Sequence, residues 1–580
     1  MATSPITAET RVTDAIVSAL AEAGVKYVLG IPGGYTGALF TAMHEHPSIR
    51  VVQVREESLG SAMAEAHGRL TGKPVVVMGQ GEWIVGNAGQ GFLEALLGSS
   101  PVLIMTEMSD GGRMSHHGPY QGGSGDYGAW DAKSALAGVT KRVMVSHDPV
   151  QAIQHTQLAL KHALTGEPGP VAVVYRGESL RGKVGPESVP RVYRSDAYLP
   201  RPSKAVDTEV LDQAVAALRG AARPVIIAGN GVRVGQACGE LMALARVLDA
   251  PVATTAAGKG VFPELDPLAA GVMGTFGLAT AHAAIAEADV VLAVGTKLGP
   301  MDTLDENPLL LDPSRQTLIQ IDVEPLNASW TFPVDHVLIG QAAYLMDRIR
   351  QAYDDAGPPP RRQVGAERMA AAVDRHGELV GAEFTSDEVP VAPERLVSLI
   401  QETFPDSGIV TCDAGENRLF MMHWYRTRLP GGYLQPAGGG GMGYAVPAAL
   451  GAKLAYPDRP VLATCGDGGF AMSIHGLMTA VQEHLPITVV VFNNNALGWV
   501  MHGMGEKAVA AAFDEFDHAA IARSVGCRGI RVDSIDGLRA ALAEAATTTE
   551  PLVIDVPTSM KTSFRDLAQT MTGPRWETAG

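Results

Sequence analysis

Apolar and polar positions follow a repeating order along the chain: an amphipathic stretch, a short β-branched apolar run, a glycine-containing turn and another amphipathic stretch. This order is typical of α/β folds, in which helices connect parallel strands. The strands predicted in this way are Val25–Gly30, Arg50–Val54, Pro74–Met78, Pro101–Thr106, Pro170–Tyr175, Pro224–Ala228, Pro251–Thr255, Val290–Val294, Thr317–Ile321, Gly408–Cys412, Pro460–Cys465, Ile487–Phe492 and Pro551–Val556.

The strands fall into three groups, so the fold class predicted for the 580 residues is α/β with three doubly wound parallel-sheet domains. The predicted domains span residues 1–185, 206–355 and 391–560. Stretches rich in Pro and Arg, at about residues 186–205 and 356–390, are interpreted as linkers. Residues 561–580 are polar and are expected to form a tail or a lid.

Composition narrows the classes of partner and the compartment. The formal net charge of -17 disfavours nucleic acid and anionic membranes as main partners. The four cysteines are scattered without a CxxC pair, so we expect neither a disulfide framework nor a zinc site. We also expect no signal peptide and no membrane-spanning segment, and therefore a cytoplasmic location.

The pattern of residues after two predicted strands indicates a site for a metal and a diphosphate. The strand ending at Cys465 runs into Gly466-Asp467-Gly468-Gly469, and the next strand ends before Asn494. Glycines let a backbone approach phosphate oxygens closely. Asp467 and Asn494 are separated by one strand–helix–strand unit, which brings both oxygen ligands to one edge of a parallel sheet. Such ligands suit Mg²⁺ or Ca²⁺, whereas the alternative is a turn beside an unrelated Asn-rich loop.

This motif resembles the thiamine-diphosphate signature of the acetolactate synthase and pyruvate decarboxylase superfamily. The resemblance covers about residues 10–558 and assigns pyrimidine binding to the first domain and diphosphate binding to the third. It implies that Asp467, Asn494 and the carbonyl of Ala496 hold Mg²⁺. The residues that it implies around the diphosphate are Gly466, Gly468, Gly469, Leu497 and Gly498.

The resemblance also implies a carboxylate that activates the cofactor by hydrogen bonding to its pyrimidine ring, so that C2 of the thiazolium loses a proton. Glu57 matches the glutamate of the family's Arg-His-Glu pattern, and Glu56 stands in place of the His. Without the motif of the third domain, two solvated acids at a helix N-terminus would be the preferred interpretation, because the helix dipole favours them there.

Two further turns of the third domain match the family. The glycine run at residues 438–443 matches the turn whose apolar residue, here Met442, lies under the cofactor, with Gly440 beside it. Gly415, Glu416 and Asn417 resemble a diphosphate-contacting turn, although the synthases commonly have Gln and His at the last two positions. The alternative for the glycine run is a flexible loop.

The substrate side matches less well. The position of a synthase Trp is Gly503, and Trp499 is expected near the thiazolium instead. His116 and His117 resemble the His-His loop of simple 2-oxoacid decarboxylases and suit proton donation near neutral pH, unless they lie on a polar surface loop. The other residues predicted on this side are Gly34, Trp83, Tyr120 and Gln121.

The resemblance is closest to acetolactate synthase large subunits. It implies decarboxylation of a pyruvate-like 2-oxoacid and ligation to a carbonyl acceptor, with thiamine diphosphate and Mg²⁺. Alternatives are a 2-oxoacid decarboxylase, a 2-hydroxyacyl-CoA or oxalyl-CoA type C–C lyase, and a non-enzymatic subunit, against which Glu57, Asp467 and Asn494 argue together. The central domain binds FAD or an ADP moiety such as that of CoA in some members. The activating glutamate and the metal motif belong to different subunits in the superfamily, so we expect a homodimer or homotetramer with active sites at the interface.

Overall fold

The computed structural model describes residues 4–110, 121–199, 201, 204–357, 364–377 and 381–565. Three sheets of six parallel strands form its framework, and helices flank each sheet, which confirms the predicted fold class. Every predicted strand is found, with ends shifted by up to two residues. No helix in these ranges is both long enough and apolar enough to cross a membrane.

The first domain contains a six-stranded sheet and a small antiparallel pair, β1 with β8. Its elements are β1 (Thr10–Arg11), α1 (Val12–Glu22), β2 (Tyr27–Gly30), α2 (Thr36–Glu45), β3 (Arg50–Gln53), α3 (Glu57–Thr71), β4 (Val75–Met78), α4 (Trp83–Leu97), β5 (Val102–Met108), α5 (Ala132–Ala137), β6 (Arg142–Ser146), α6 (Pro149–Leu164), β7 (Val171–Arg176) and β8 (Lys183–Val184). The sheet order is β3-β2-β4-β5-β7-β6.

The central domain has the sheet order β11-β10-β9-β12-β13-β14. Its elements are α7 (Thr208–Gly220), β9 (Pro224–Ala228), α8 (Asn230–Val234), α9 (Cys238–Leu248), β10 (Val252–Thr254), β11 (Ala269–Val272), α10 (Ala279–Ala286), β12 (Val290–Val294), α11 (Pro300–Thr303), β13 (Thr317–Asp322), β14 (His336–Ile339) and α12 (Ala342–Asp355). The stretch interpreted as the second linker also contains a helix, α13 (Gly365–His376). Because Met369 and Ala372 of α13 are buried in the core of this domain, the helix belongs to it.

The third domain has the sheet order β16-β15-β17-β18-β20-β19. Its elements are α14 (Pro393–Thr403), β15 (Ile409–Cys412), α15 (Glu416–Trp424), β16 (Tyr433–Leu434), α16 (Ala445–Ala455), β17 (Val461–Gly466), α17 (Asp467–Ser473), α18 (Gly476–Gln482), β18 (Thr488–Asn493), α19 (Gly498–Met504), α20 (His518–Ser524), β19 (Arg528–Arg531), α21 (Ile535–Ala545) and β20 (Leu552–Pro557).

The first and third domains share one hydrophobic core, which fixes their relative position. Helix α3 packs along α16, and Met63 and Leu450 are both fully buried in this core. At Gly451 the backbone carbonyl of Met63 occupies the space of a side chain, so the two helices approach closely. This packing brings α4 beside the glycine run that precedes α16.

Candidate active site

A cavity of about 290 Å³ opens at the carboxyl ends of β15, β17 and β18, where ligands of open α/β sheets usually bind. The structure gathers almost all of the predicted cofactor-binding residues in its wall. They are Gly415, Glu416, Asn417, Gly440, Met442, Gly466, Asp467, Gly468, Gly469, Asn494, Ala496, Leu497 and Gly498. Trp499, which was predicted on the substrate side, lines the same cavity.

The oxygens of Asp467 and Asn494 converge on one turn. The backbone N–H of Ala496 donates to Asp467 Oδ2 at 3.2 Å and to Asn494 Oδ1 at 3.1 Å. Burial raises the pKa of Asp467, although the N–H groups of Gly468 and Ala496 oppose this shift. Within the described ranges no group of three His, Cys, Asp or Glu residues is placed to hold a metal ion. The side-chain oxygens of Asp467 and Asn494 suit Mg²⁺ when phosphate oxygens complete the ligand set.

The glycines of this turn pack so closely against neighbouring side chains that neither position has room for a Cβ atom. A Cβ atom at Gly468 would lie 2.9 Å from Leu497 Cδ2 and 3.0 Å from Met442 Cε. At Gly469 it would lie 2.9 Å from Asp413 Cγ. The turn therefore presents bare backbone at the start of α17, as close approach to a diphosphate requires.

Asp413 begins the turn that resembles a diphosphate-contacting turn, but the sequence predicted no role for its side chain. It follows β15 directly and is fully buried. Its carboxylate accepts hydrogen bonds from the backbone N–H groups of Ala414 (2.8 Å), Gly443 (2.9 Å) and Ala445 (3.0 Å), while burial raises its pKa to about 6. Asp413 thus anchors the end of the glycine run. An acid directly after a buried strand, like Asp467 after β17, was the available signal.

Glu416 connects the cavity to the chain that follows β20. Both carboxylate oxygens lie 3.0 Å from His502 Nδ1, and the backbone N–H of Phe564 donates to Oε1 at 2.8 Å. His502 Nε2 is 3.2 Å from the carbonyl oxygen of Met560. The first residues of the predicted tail therefore lie against the cavity, and residues 566–580 lie outside the described part of the chain.

A cation lies against the cavity wall. The guanidinium carbon of Arg565 is 3.8 Å from the centroid of the Trp499 ring, within the range of cation–π contacts. At Gly503, one turn further along α19, a Cβ atom would lie 2.7 Å from Arg565 Nη2. Arg565 therefore occupies the space that a side chain at position 503 would need. The sequence carried no signal for this contact, because Arg565 lies in a polar segment beyond the last strand.

Glu57 is buried at the start of α3, but it does not line the cavity. Asn87 Nδ2 donates to Glu57 Oε2 at 2.8 Å. The residues found in the cavity wall all lie between Pro393 and Thr562, in the third domain and the segment after it. Within one chain, therefore, the structure does not bring the predicted activator to the predicted cofactor site.

Gly34, Trp83 and Gln121, the other predicted substrate residues that the structure describes, lie at the carboxyl end of the first sheet. Gln80 Nε2 donates to the side-chain oxygen of Gln121 at 2.8 Å, and a Cβ atom at Gly34 would lie 3.1 Å from the same Nε2. Trp83 begins α4 and is 52% exposed. Burial raises the pKa of the neighbouring Glu107 to about 7. His116, His117 and Tyr120 lie outside the described residues.

A second cavity, of about 400 Å³, lies between the first and central domains at the carboxyl ends of β9, β12 and β13. Asn230, Lys297 and Asp322 line it, and the Lys297 ammonium is 3.1 Å from the carboxylate of Glu167. Its position at the switch point of the sheet suits a nucleotide. Binding of FAD, ADP or CoA to the central domain stays a prediction.

Three family models match the chain in the order of its domains. Residues 10–125 match the N-terminal TPP binding domain of thiamine pyrophosphate enzymes, residues 211–349 match the central domain, and residues 413–556 match the C-terminal TPP binding domain. The matched ranges contain the whole sheet of the central domain, strands β1 to β5 of the first domain, and strands β16 to β19 with most of β20 of the third.

Similar proteins differ in the reactions that their names describe. The chain is 28% identical to a "probable acetolactate synthase large subunit" of Methanocaldococcus jannaschii, over 94% of this chain and 91% of that protein. It is 30% identical to a "probable 2-ketoarginine decarboxylase" of Pseudomonas aeruginosa, over 92% of both chains. A solved structure described as a thiamin diphosphate-dependent enzyme from Mycobacterium smegmatis superposes with a TM-score of 0.77 and 25% identity, over 95% of this chain and 99% of that one.

Proposed function

Because this chain belongs to the thiamine pyrophosphate enzyme family, we propose that it decarboxylates a pyruvate-like 2-oxoacid and joins the remaining acyl unit to a second carbonyl compound. Thiamine diphosphate, when bound, supplies the carbon nucleophile and accepts the electron pair left by CO₂. The observation that carries the proposal is the cavity in which Asp467, Asn494 and the bare backbone of Gly468 face one another.

The roles of the residues follow from their positions. Asp467, Asn494 and the Ala496 carbonyl hold Mg²⁺, and the amide groups at the start of α17 bind the diphosphate. Met442 and Leu497 both reach the cavity beside Gly468, and Met442 would support the cofactor there. Glu57 hydrogen-bonds the pyrimidine ring, and the amide of Asn87 holds its carboxylate in place.

A second copy of the chain completes the site in this proposal. The described cavity wall contains no residue of the first domain, whereas Glu57 belongs to that domain. Apolar side chains are exposed on α4 (Trp83, 52%; Leu93, 40%) and on α17 and α18 (Met472, 58%; Met478, 42%), and exposed apolar surface of this kind favours association. A homodimer or homotetramer would place the partner subunit's first domain over the cavity.

An anionic substrate is supported by charge. Arg565 places a cation against the ring of Trp499, which lines the cavity, and a 2-oxoacid carries a carboxylate that such a group would attract. Relatives whose names describe acyl transfer and relatives whose names describe decarboxylation are about equally similar to this chain. Similarity therefore does not distinguish the two reactions, which differ in whether a carbonyl compound or a proton accepts the acyl unit.

Release of CO₂ tests the proposal. Purified protein with Mg²⁺ and thiamine diphosphate is incubated with a panel of 2-oxoacids, with and without aldehyde or ketone acceptors. We expect CO₂ from pyruvate or a close analogue and a product that contains the carbons of both substrates. A free aldehyde with every acceptor would favour the decarboxylase alternative. No CO₂ from any 2-oxoacid, with the cofactor bound, would contradict the proposal and favour an acyl-CoA type C–C lyase.

A further inference from the structure

Helix α4 of the first domain holds the glycine run of the third domain. The carboxylate of Glu94, which is 4% exposed, accepts hydrogen bonds from the backbone N–H groups of Ala437, Gly438 (3.0 Å), Gly439 (2.9 Å) and Gly440 (3.2 Å). One turn earlier, Gln90 Nε2 donates to the carbonyl oxygen of Met442 at 2.9 Å. Two side chains on one face of α4 thus bind consecutive peptide groups of the run.

The side chains of α4 also explain why this run consists of glycine. A Cβ atom at Gly439 would lie 2.6 Å from Glu94 Oε2, and one at Gly438 would lie 2.7 Å from the Cβ of Leu97. At Gly441 the amide of Gln90 occupies the position of a Cβ atom. Any larger residue at these positions would push the run away from α4. The run is therefore a fitted segment and not the flexible loop that the sequence left as an alternative.

Convergence of backbone N–H groups on one carboxylate resembles an anion-binding nest, and hydrogen bonds to a charged acceptor are stronger than neutral ones. At the other end of the run, Asp413 accepts hydrogen bonds from Gly443 and Ala445. Met442 lies between these two anchors, and its side chain reaches the cavity beside Gly468.

We propose that Glu94 is a positioning residue for the ring portion of thiamine diphosphate. Its carboxylate fixes the glycine run, and the run fixes the height at which Met442 supports the cofactor. Glu94 does not line the cavity itself and acts through the backbone of residues 437–440. The diphosphate end is held separately, by Asp467 and the start of α17. The proposal concerns cofactor binding and does not depend on which 2-oxoacid or acceptor the enzyme uses.

The variant Glu94→Gln tests whether the ring portion and the diphosphate end of the cofactor are held separately. The new amide NH₂ group faces N–H donors, so part of the run loses its acceptor. With Mg²⁺ present, we expect the Kd for thiamine diphosphate, measured by titration calorimetry on the full chain, to rise about tenfold or more. The Kd for inorganic diphosphate with Mg²⁺ should stay within about twofold of that of the unmodified protein, because the metal and phosphate ligands are untouched.

Two further variants keep the test decisive. Gly439→Ala should give the same selective loss by pushing the run from the other side, and it replaces Glu94→Gln if that variant does not fold. In the double variant the Kd for thiamine diphosphate should rise by less than the product of the two single fold-changes, because both substitutions act on one contact. Glu22→Gln removes a carboxylate that accepts the backbone N–H of Ser195 at 2.8 Å, far from the run, and should change neither Kd.

The two ligands separate a positioning role from general destabilisation. An equal loss of affinity for thiamine diphosphate and inorganic diphosphate would overturn the proposal, and so would an unchanged Kd for thiamine diphosphate in both single variants. Neither measurement needs turnover, so a failure of the proposed 2-oxoacid chemistry would leave this result standing.

Discussion

The first and third domains have the same strand order but present different chemistry at the same edge. If the six strands of each sheet are numbered in chain order, the order across the sheet is 2-1-3-4-6-5 in both of these domains. In the central domain it is 3-2-1-4-5-6. In the third domain the third strand, β17, is followed directly by Asp467, and in the first domain the equivalent strand, β4, is followed by Gly79 and the neutral Gln80.

The difference shows which property each level of structure determines. Strand order determines where a site forms. In both sheets the connections that follow the first and third strands run in opposite directions, which opens a crevice at the carboxyl ends of these strands. The residue after each strand then decides the chemistry. In the third domain Asp467 and Asn494 are the side chains proposed to bind a metal, and Asp413 anchors the glycine run. Glu57 and the pair Gln80–Gln121 give the first domain hydrogen-bonding groups without a metal site among its described residues.

The largest effect should come from removing the acid that distinguishes the two sheets. Asp467→Ala deletes the charged metal ligand, so we expect the Kd for thiamine diphosphate with Mg²⁺ to rise about a hundredfold or more. Calorimetry and metal analysis of the purified protein measure this loss. In the matched control, Gln80→Ala at the equivalent strand of the first domain, metal content should not change. Retention of metal and cofactor by Asp467→Ala would refute the metal site.

A substitution at the proposed activator in the first domain should lower turnover and leave cofactor affinity nearly unchanged. In Glu57→Gln the side chain keeps its size, but the carboxylate that is proposed to contact the pyrimidine ring is lost. We expect kcat to fall about a hundredfold or more while the Kd for the cofactor changes little. Steady-state kinetics and calorimetry on the same preparation separate the two quantities. Undiminished turnover would remove Glu57 from its assigned role.

The smallest effect concerns stability and its dependence on pH. Burial raises the pKa of Glu107 from 4.5 to about 7, so its ionisation costs no stability below about pH 4.5, costs more as pH rises from 4.5 to 7, and costs the full amount above 7. Glu107→Gln should therefore raise the free energy of unfolding at pH 8 by about 1 kcal/mol after solvent screening, and leave it unchanged at pH 4, as the midpoint of thermal unfolding would report. A gain of equal size at both pH values would contradict this assignment.

Asp413 in the third domain sharpens the contrast. Its pKa is also raised by burial, to about 6, but its carboxylate accepts backbone N–H groups of Ala414, Gly443 and Ala445. Asp413→Asn would place an NH₂ group against these donors, so this substitution should lower the unfolding midpoint at pH 8, where Glu107→Gln raises it.

Much of the fold could be predicted from apolar periodicity, because strands buried on both faces are almost continuously apolar. β4, which reads Val-Val-Val-Met, is one such strand. The missed strands lie mainly at sheet edges, where one side is exposed and the pattern weakens. β19 reads Arg-Gly-Ile-Arg and β6 begins with an exposed arginine. Helix α13 was hidden in a stretch interpreted as a linker, because Pro and Arg residues precede it.

The residues predicted to bind the cofactor in the third domain lie together because each follows a strand of one sheet, and the strand order brings those positions to one cavity. Contacts between distant segments had no such rule. Glu94 meets a loop more than 340 positions away, and Arg565 reaches Trp499 from beyond the last strand. Such contacts depend on how domains pack, which local pattern does not encode.

The fit between α4 and the glycine run has a consequence for recombining this chain with its relatives. A crossover placed in either linker would pair one parent's Glu94, Gln90 and Leu97 with the other parent's run, although both linkers look like natural places to exchange domains. The unit that can be exchanged intact is the third domain together with α3 and α4 of the first. Chimeras that transfer this discontinuous block should retain the fit of the run, and chimeras that split it should need compensating changes on one side of the contact.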